Sequence, residues 1–100
     1  MTTLIEVITK VREQNLTKEQ LEHYYDELSV LLAELNNEAG ELEKEEALFL
    51  ANRESTESIA SRKVAWKSTP AGQRLIVVKR YISAVKSLLS SVKNRIYSNL

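Results

Sequence analysis

The chain has 100 residues, enough for one domain with a modest apolar core. It contains only two glycines and one proline, too few for the turns of a β-rich fold, so helices are strongly favoured. The absence of cysteine excludes disulfides, cysteine-ligated zinc and thiol catalysis.

Acidic and basic side chains are segregated along the sequence, although the net charge is zero. Residues 1–57 contain all 14 acidic side chains and 5 basic ones, a formal charge of −9. Residues 58–100 contain 9 basic side chains and no acidic one, a formal charge of +9. Such an asymmetry indicates either an anionic partner or pairing of the two segments with each other.

Two helices are predicted in the acidic segment. An apolar stripe at helical spacing, formed by Leu4, Ile5, Ile8 and Val11, predicts a short helix over residues 3–14. Thr17 followed by Gln20 is typical of a capping box, and it begins a second helix predicted over residues 17–52. The apolar residues of this long helix recur every seven positions, as Leu21, Leu28, Leu35, Leu42 and Phe49. Gly40 lies among them, where it either allows close helix approach or marks a bend.

The basic segment is predicted to be helical over residues 57–98, with an interruption at Thr69-Pro70. Thr69 as a capping residue and Pro70 as the first helical residue would restart the helix, whereas the alternative is a kink in a continuous helix. The heptad pattern after Pro70 extends back through Ala71 to Val64, which favours the kink.

The combined patterns predict an all-α fold, a long antiparallel helical hairpin or coiled coil with a short N-terminal helix, in a single domain over residues 1–100. Two long helices bury little apolar surface by themselves, so we expect a homo-oligomer. The predicted helix-packing and oligomer residues are Leu28, Leu35, Leu42, Val78, Ile82, Val85, Leu89, Val92 and Ile96.

No arrangement of residues typical of catalysis or metal binding is found. His23 is the only histidine, Gly40 and Gly72 form no phosphate-binding loop, and the serines lack a neighbouring base. The glutamates between Glu41 and Glu46 are interpreted as a solvated helix face. We therefore expect no enzymatic activity, no cofactor and no metal. We also expect a cytoplasmic protein, because the sequence shows neither a signal-peptide pattern nor an apolar stretch of about 18–20 residues.

A cationic cluster with the only tryptophan suggests nucleic-acid binding. Arg62, Lys63, Trp66 and Lys67 fall within one short helical segment. Proteins bind single strands through cations that contact the phosphates and aromatic rings that stack on the bases. The predicted DNA-binding residues are Arg62, Lys63, Trp66, Lys67, Arg74, Lys79 and Arg80.

A structural interpretation of the same residues is the alternative. A tryptophan near a helix interruption is also a normal core residue. Lys79, Lys86 and Lys93 recur every seven residues beside the apolar stripe, so they could meet glutamates across a helix pair.

The segment Arg62-Lys63-Val64-Ala65-Trp66-Lys67, followed by a helix that closes with Val92-Lys93-Asn94-Arg95, resembles the UvsY-type recombination mediators of T-even phages. That family has a similar basic-hydrophobic-basic motif on a helix and a comparable Lys-x-Arg on a later one. The resemblance covers residues 60–95. It implies a phage-encoded, ring-forming helical oligomer that binds single-stranded DNA, with Arg62, Lys63 and Lys67 in contact with DNA. It also implies a recombinase or a single-strand-binding protein as partner.

We therefore predict a non-enzymatic, oligomeric, single-stranded DNA-binding accessory protein that assists recombination or replication. The alternative is a coiled-coil protein-interaction module, an adaptor, inhibitor or regulator of a DNA-processing enzyme, whose working surface is the acidic helix between Glu38 and Glu46. A purely structural assembly component is the third hypothesis.

Overall fold

The computed structural model describes residues 4–12, 15–51 and 58–98. These residues form four helices and no strand, which confirms the all-α prediction. The helices are α1 (Leu4–Val11), α2 (Lys18–Leu50), α3 (Ile59–Ser68) and α4 (Pro70–Ser98). Residues 3, 13, 14, 52 and 57, at the ends of the predicted helices, lie outside the described residues.

The chain divides into two compact units, each containing parts of α2 and α4. The first unit comprises residues 1–34 and 82–100, so it combines α1 with the first half of α2 and the last half of α4. The second unit comprises residues 35–81, which contain the rest of α2, the whole of α3 and the beginning of α4. In both units α2 and α4 therefore pair in the antiparallel order of a helical hairpin, as predicted.

The core of the first unit consists of aliphatic side chains from all three of its helices. Those that are buried are Val7, Val11, Leu21, Leu28, Val85 and Val92. Ile82, Leu89 and Ile96 are half-buried, and Ile5 is exposed. Arg95 donates a hydrogen bond to the backbone carbonyl of Val11, which links α4 to the end of α1. Because each buried aliphatic side chain contributes about 1.5–3 kcal/mol, these residues provide the main stabilisation of the unit.

The core of the second unit is built around Trp66. This side chain is 4% exposed, and its ring lies 5.7 Å from that of Phe49 at an angle of 52°. Tilted aromatic pairs of this kind are favourable beyond the area that they bury. The other buried apolar residues are Leu35, Ala39, Leu75 and Val78, and Leu42 is half-buried.

The chain is interrupted between α3 and α4, so the predicted continuous helix with a kink is wrong. Thr69 has an extended backbone, with φ −74° and ψ 155°. Its hydroxyl accepts a hydrogen bond from the Gly72 amide at 3.0 Å and so caps α4, while Pro70, which lacks an amide hydrogen, is suited to the first helical position. Val64 is 67% exposed, so the heptad phase seen after Pro70 does not continue into α3.

Hydrogen bonds from polar side chains set the starts of α2 and α3. The Thr17 amide donates to Gln20 Oε1 at 2.9 Å, and the Gln20 amide donates to Thr17 Oγ1 at 3.1 Å. This reciprocal pair is the predicted capping box. At the start of α3, Ser58 Oγ accepts a hydrogen bond from the Ser61 amide at 3.2 Å.

The two glycines occupy different environments. A Cβ atom at Gly72 would overlap the backbone carbonyl of Trp66, so glycine allows α4 to approach the end of α3. A Cβ atom at Gly40 would have no atom within 4 Å beyond its own helix turn, among the residues that the structure describes. The interpretation of Gly40 as a site of close helix approach is therefore wrong.

We expect alanine to have opposite effects at these glycines. Gly72→Ala forces a methyl group against backbone and should lower the free energy of unfolding by about 1–3 kcal/mol. Gly40→Ala, the matched control, should raise it by up to about 1 kcal/mol, because alanine loses less backbone entropy in a helix. Chemical denaturation of both variants measures the difference. A stabilising Gly72→Ala would contradict the close approach.

Candidate nucleic-acid interface

The predicted cluster on α3 does not form a stacking surface. Trp66 is buried against Phe49, so its ring cannot stack on a base, and its assignment as a DNA contact is wrong. Arg62 is half-buried and donates a hydrogen bond to the Leu50 carbonyl, the last residue of α2. This bond satisfies a carbonyl that the helix end leaves without an intrahelical donor. Half of the predicted cluster therefore serves the core of the second unit.

Lys63 and Lys67 remain exposed on α3. They are four residues apart, so they are neighbours on one side of the helix. Neither forms an ion pair with a residue in the part of the chain that the structure describes. Two exposed apolar residues, Ile59 and Val64, accompany them on this helix.

Arg74 and Lys79 are engaged by glutamates of α2 within the second unit. Arg74 holds both carboxylate oxygens of Glu38, with Nε–Oε1 at 2.5 Å and Nη2–Oε2 at 2.9 Å. This bidentate geometry is the strongest that an arginine and a carboxylate form. Lys79 Nζ lies 3.8 Å from Glu43 Oε1. The alternative interpretation, charge pairing between the two halves of the sequence, therefore holds for these two cations. Arg80 is exposed.

A basic surface that the prediction did not include lies on the last half of α4, in the first unit. Lys86 and Lys93 are exposed and lie about 10.5 Å apart along the helix axis, at 1.5 Å per residue. Ser90 lies between them, and Tyr97, which is 61% exposed, follows one turn later. Lys93 Nζ is 6.0 Å from the centroid of the Tyr97 ring, so the two side chains share a face. We call Lys86, Ser90, Lys93 and Tyr97 the α4 basic face.

The α4 basic face has no acidic neighbour in its own sequence, because residues 58–100 contain no aspartate or glutamate. Over the described ranges, neither Lys86 nor Lys93 forms an ion pair. The seven-residue spacing of Lys79, Lys86 and Lys93 was visible in the sequence, where it suggested pairing with glutamates. Of the three, Lys79 alone pairs with a glutamate in the part of the chain that the structure describes. Which side of α2 faces a given lysine depends on how segments distant in sequence pack together. The lysine spacing alone therefore could not show which of the three lysines pairs with a glutamate.

Within residues 4–12, 15–51 and 58–98, no group of three histidine, aspartate or glutamate side chains could hold a metal ion. No helix in those ranges combines the length and the apolar character needed to cross a membrane.

Comparisons with known proteins return no match, whether the chain is compared with family models, with curated proteins or with solved structures. The resemblance of residues 60–95 to the UvsY-type mediators therefore stays a prediction.

The ion pair between Glu38 and Arg74 predicts a pH-dependent contribution to stability. The hydrogen bond from Arg74 lowers the pKa of the Glu38 carboxyl below its ordinary value of 4.5. A lowered carboxyl pKa stabilises the folded chain above the ordinary pKa, and this stabilisation is lost as the pH falls through the lowered one.

We expect Glu38→Gln to lower the free energy of unfolding at pH 7 by about 0.2–1 kcal/mol, a small effect because the pair is partly exposed to solvent. The difference from the unsubstituted chain should vanish in acid. Thermal unfolding over a pH series measures this. Glu41→Gln, which removes a carboxylate that contacts Lys44 of the same helix, is the control. A difference that persists unchanged in acid would contradict the pairing.

Proposed function

We propose that this chain is a non-enzymatic accessory protein that binds single-stranded nucleic acid through the α4 basic face. One observation carries the proposal. Lys86 and Lys93 are exposed on an acid-free helix and have no counter-ion in the described part of the chain, whereas Arg74 and Lys79 are already paired. Nucleic-acid phosphates are the anions that such a row of cations and hydroxyl donors fits best.

Each side chain of the α4 basic face has a defined role in this proposal. Lys86 and Lys93 neutralise phosphates and release counterions, which gives affinity without sequence specificity. The Ser90 hydroxyl donates a hydrogen bond to a phosphate oxygen between them. The exposed Tyr97 ring stacks on a base. Stacking requires an unpaired base, so the ring favours single strands over duplexes.

The acidic half of the sequence limits where a strand can bind. Residues 1–57 carry a formal charge of −9, which repels phosphates. Binding therefore depends on the local field of α4 rather than on the net charge of the chain, which is zero. The proposed role in recombination or replication, a phage origin, and a recombinase or single-strand-binding protein as partner rest on the UvsY resemblance alone.

The protein-interaction alternative is less favoured by the contacts of α2. Glu38 and Glu43, which belong to its predicted working surface, are paired with Arg74 and Lys79 of the same chain. Glu41 contacts Lys44. A partner would have to displace these contacts before it could use the acidic helix.

Substitution of both lysines tests the phosphate contacts. We expect Lys86→Gln with Lys93→Gln to reduce the slope of log affinity against log salt by about 1.4, since each phosphate neutralised on a single strand contributes about 0.7. Fluorescence anisotropy of a labelled single-stranded oligonucleotide over a salt series measures the slope. Lys18→Gln with Lys44→Gln removes the same charge from α2 and is the matched control. An unchanged slope in the α4 variant, or an equal reduction of the slope in the control, would contradict the assignment of Lys86 and Lys93 as phosphate contacts.

Substitution of the tyrosine tests the stacking contact. Tyr97→Ala should weaken binding to a thymidine oligonucleotide by about 1–3 kcal/mol, the usual contribution of one stacked base. Binding to an abasic oligonucleotide of equal length should be unaffected, because it has phosphates but no base. An equal loss on both oligonucleotides would show that Tyr97 does not stack.

A further inference from the structure

In the first unit α1 and α2 border an open apolar groove of about 330 Å³. Its apolar lining comes from Val7, Val30 and Leu31, and Val30 is 60% exposed. Asp26 and Glu34 also line the groove, and both carboxylates are exposed. The groove therefore combines apolar surface with a negative rim, which suits an apolar segment that carries positive charge.

The exposed side of α3, in the second unit, combines apolar surface with positive charge. Ile59 is 59% exposed and Val64 is 67% exposed. At about 100° per residue, Ile59, Lys63, Lys67 and Val64 fall within an arc of roughly 140° on one side of the helix. We call these four residues the α3 ridge. It carries apolar surface and two lysines that the nucleic-acid proposal does not use.

We propose that the α3 ridge of one copy docks into the α1–α2 groove of a second copy. Ile59 and Val64 contact Val30 and Leu31, while Lys63 and Lys67 oppose the acidic rim. Charge complementarity selects this occupant, because the ridge belongs to a segment without a single acidic residue. Groove against groove would bring Asp26 and Glu34 against their own copies, and ridge against ridge would bring lysines together, so symmetric pairing is opposed.

This contact is head-to-tail, since the two surfaces on each chain are different. Each copy offers one groove and one ridge, so association gives either a closed ring, of which a reciprocal dimer is the smallest, or an open chain. The contact differs from the predicted oligomer through the heptad residues, because Leu28, Leu35, Val78, Val85 and Val92 are already buried within the chain. It uses none of the residues of the α4 basic face, and it requires no nucleic acid.

Two single substitutions and their mixture test the proposal, with nucleic acid absent. Val30→Glu disables the groove and leaves the ridge, and Val64→Glu disables the ridge and leaves the groove. Both positions are exposed, so circular dichroism should show folded chains. We expect the unsubstituted chain to associate with rising concentration in size-exclusion chromatography with light scattering. Each variant alone should be a monomer. An equimolar mixture should form a dimer and nothing larger, because one intact groove and one intact ridge remain.

The alternatives give different results. A monomeric unsubstituted chain at its solubility limit would overturn the proposal and leave the groove to a basic helix of another protein. Loss of association in Val30→Glu but not in Val64→Glu would also overturn it, in favour of symmetric groove pairing. A mixture that stays monomeric while the unsubstituted chain associates would also overturn the proposal.

A charge exchange provides the second measurement, should either valine variant fail to fold. Asp26→Lys with Glu34→Lys, or Lys63→Glu with Lys67→Glu, should each abolish association. All four substitutions in one chain should restore it, because the groove and the ridge are complementary again. Failure of the fourfold variant to associate, with its helices intact, would overturn the proposal. Lys86 and Lys93 are unchanged in every variant, so nucleic-acid binding can fail or succeed independently.

Discussion

The burial of one apolar stripe on α2 against one on α4 is the interaction on which the other features depend. It turns Leu28, Val85 and Val92 inward in the first unit, and Leu35 and Val78 inward in the second. Once these residues are inside, the position of every other side chain around each helix is set by the 3.6-residue period. The stripe therefore determines which cations reach a glutamate and which remain exposed to solvent, and so which of them are available to a ligand.

Local features of the sequence were sufficient to predict the helical regions but not the break at Thr69 or the surface. The capping box of Thr17 and Gln20 and the heptads of α2 and α4 involve residues close in sequence, and the structure confirms them. The interruption at Thr69 was wrongly interpreted because a heptad phase describes positions and not backbone continuity. Trp66 was ambiguous because its burial depends on Phe49, a residue of another helix. Arg62 and Arg74 have partners on α2 that no spacing rule identifies.

The segregation of charge has two consequences in the structure. Some of the opposite charges form ion pairs within the second unit, where Glu38 and Glu43 contact Arg74 and Lys79. Other cations stay at the surface in two patches, Lys63 and Lys67 on α3 and Lys86 and Lys93 on α4. A neutral chain can thus have strong local fields, which guide association with a charged ligand. The two proposals assign these patches to different ligands, a nucleic-acid strand for α4 and a second copy for α3.

In the proposed function, a single strand contacts α4 between Lys86 and Tyr97. The most direct test is a titration of the isotope-labelled chain with a short single-stranded oligonucleotide at low salt, followed by amide NMR shifts. We expect saturable shifts concentrated at Lys86, Ser90, Lys93 and Tyr97, which diminish as salt is added. Shifts confined to α3 and the start of α4, or no shifts at low salt, would contradict this contact.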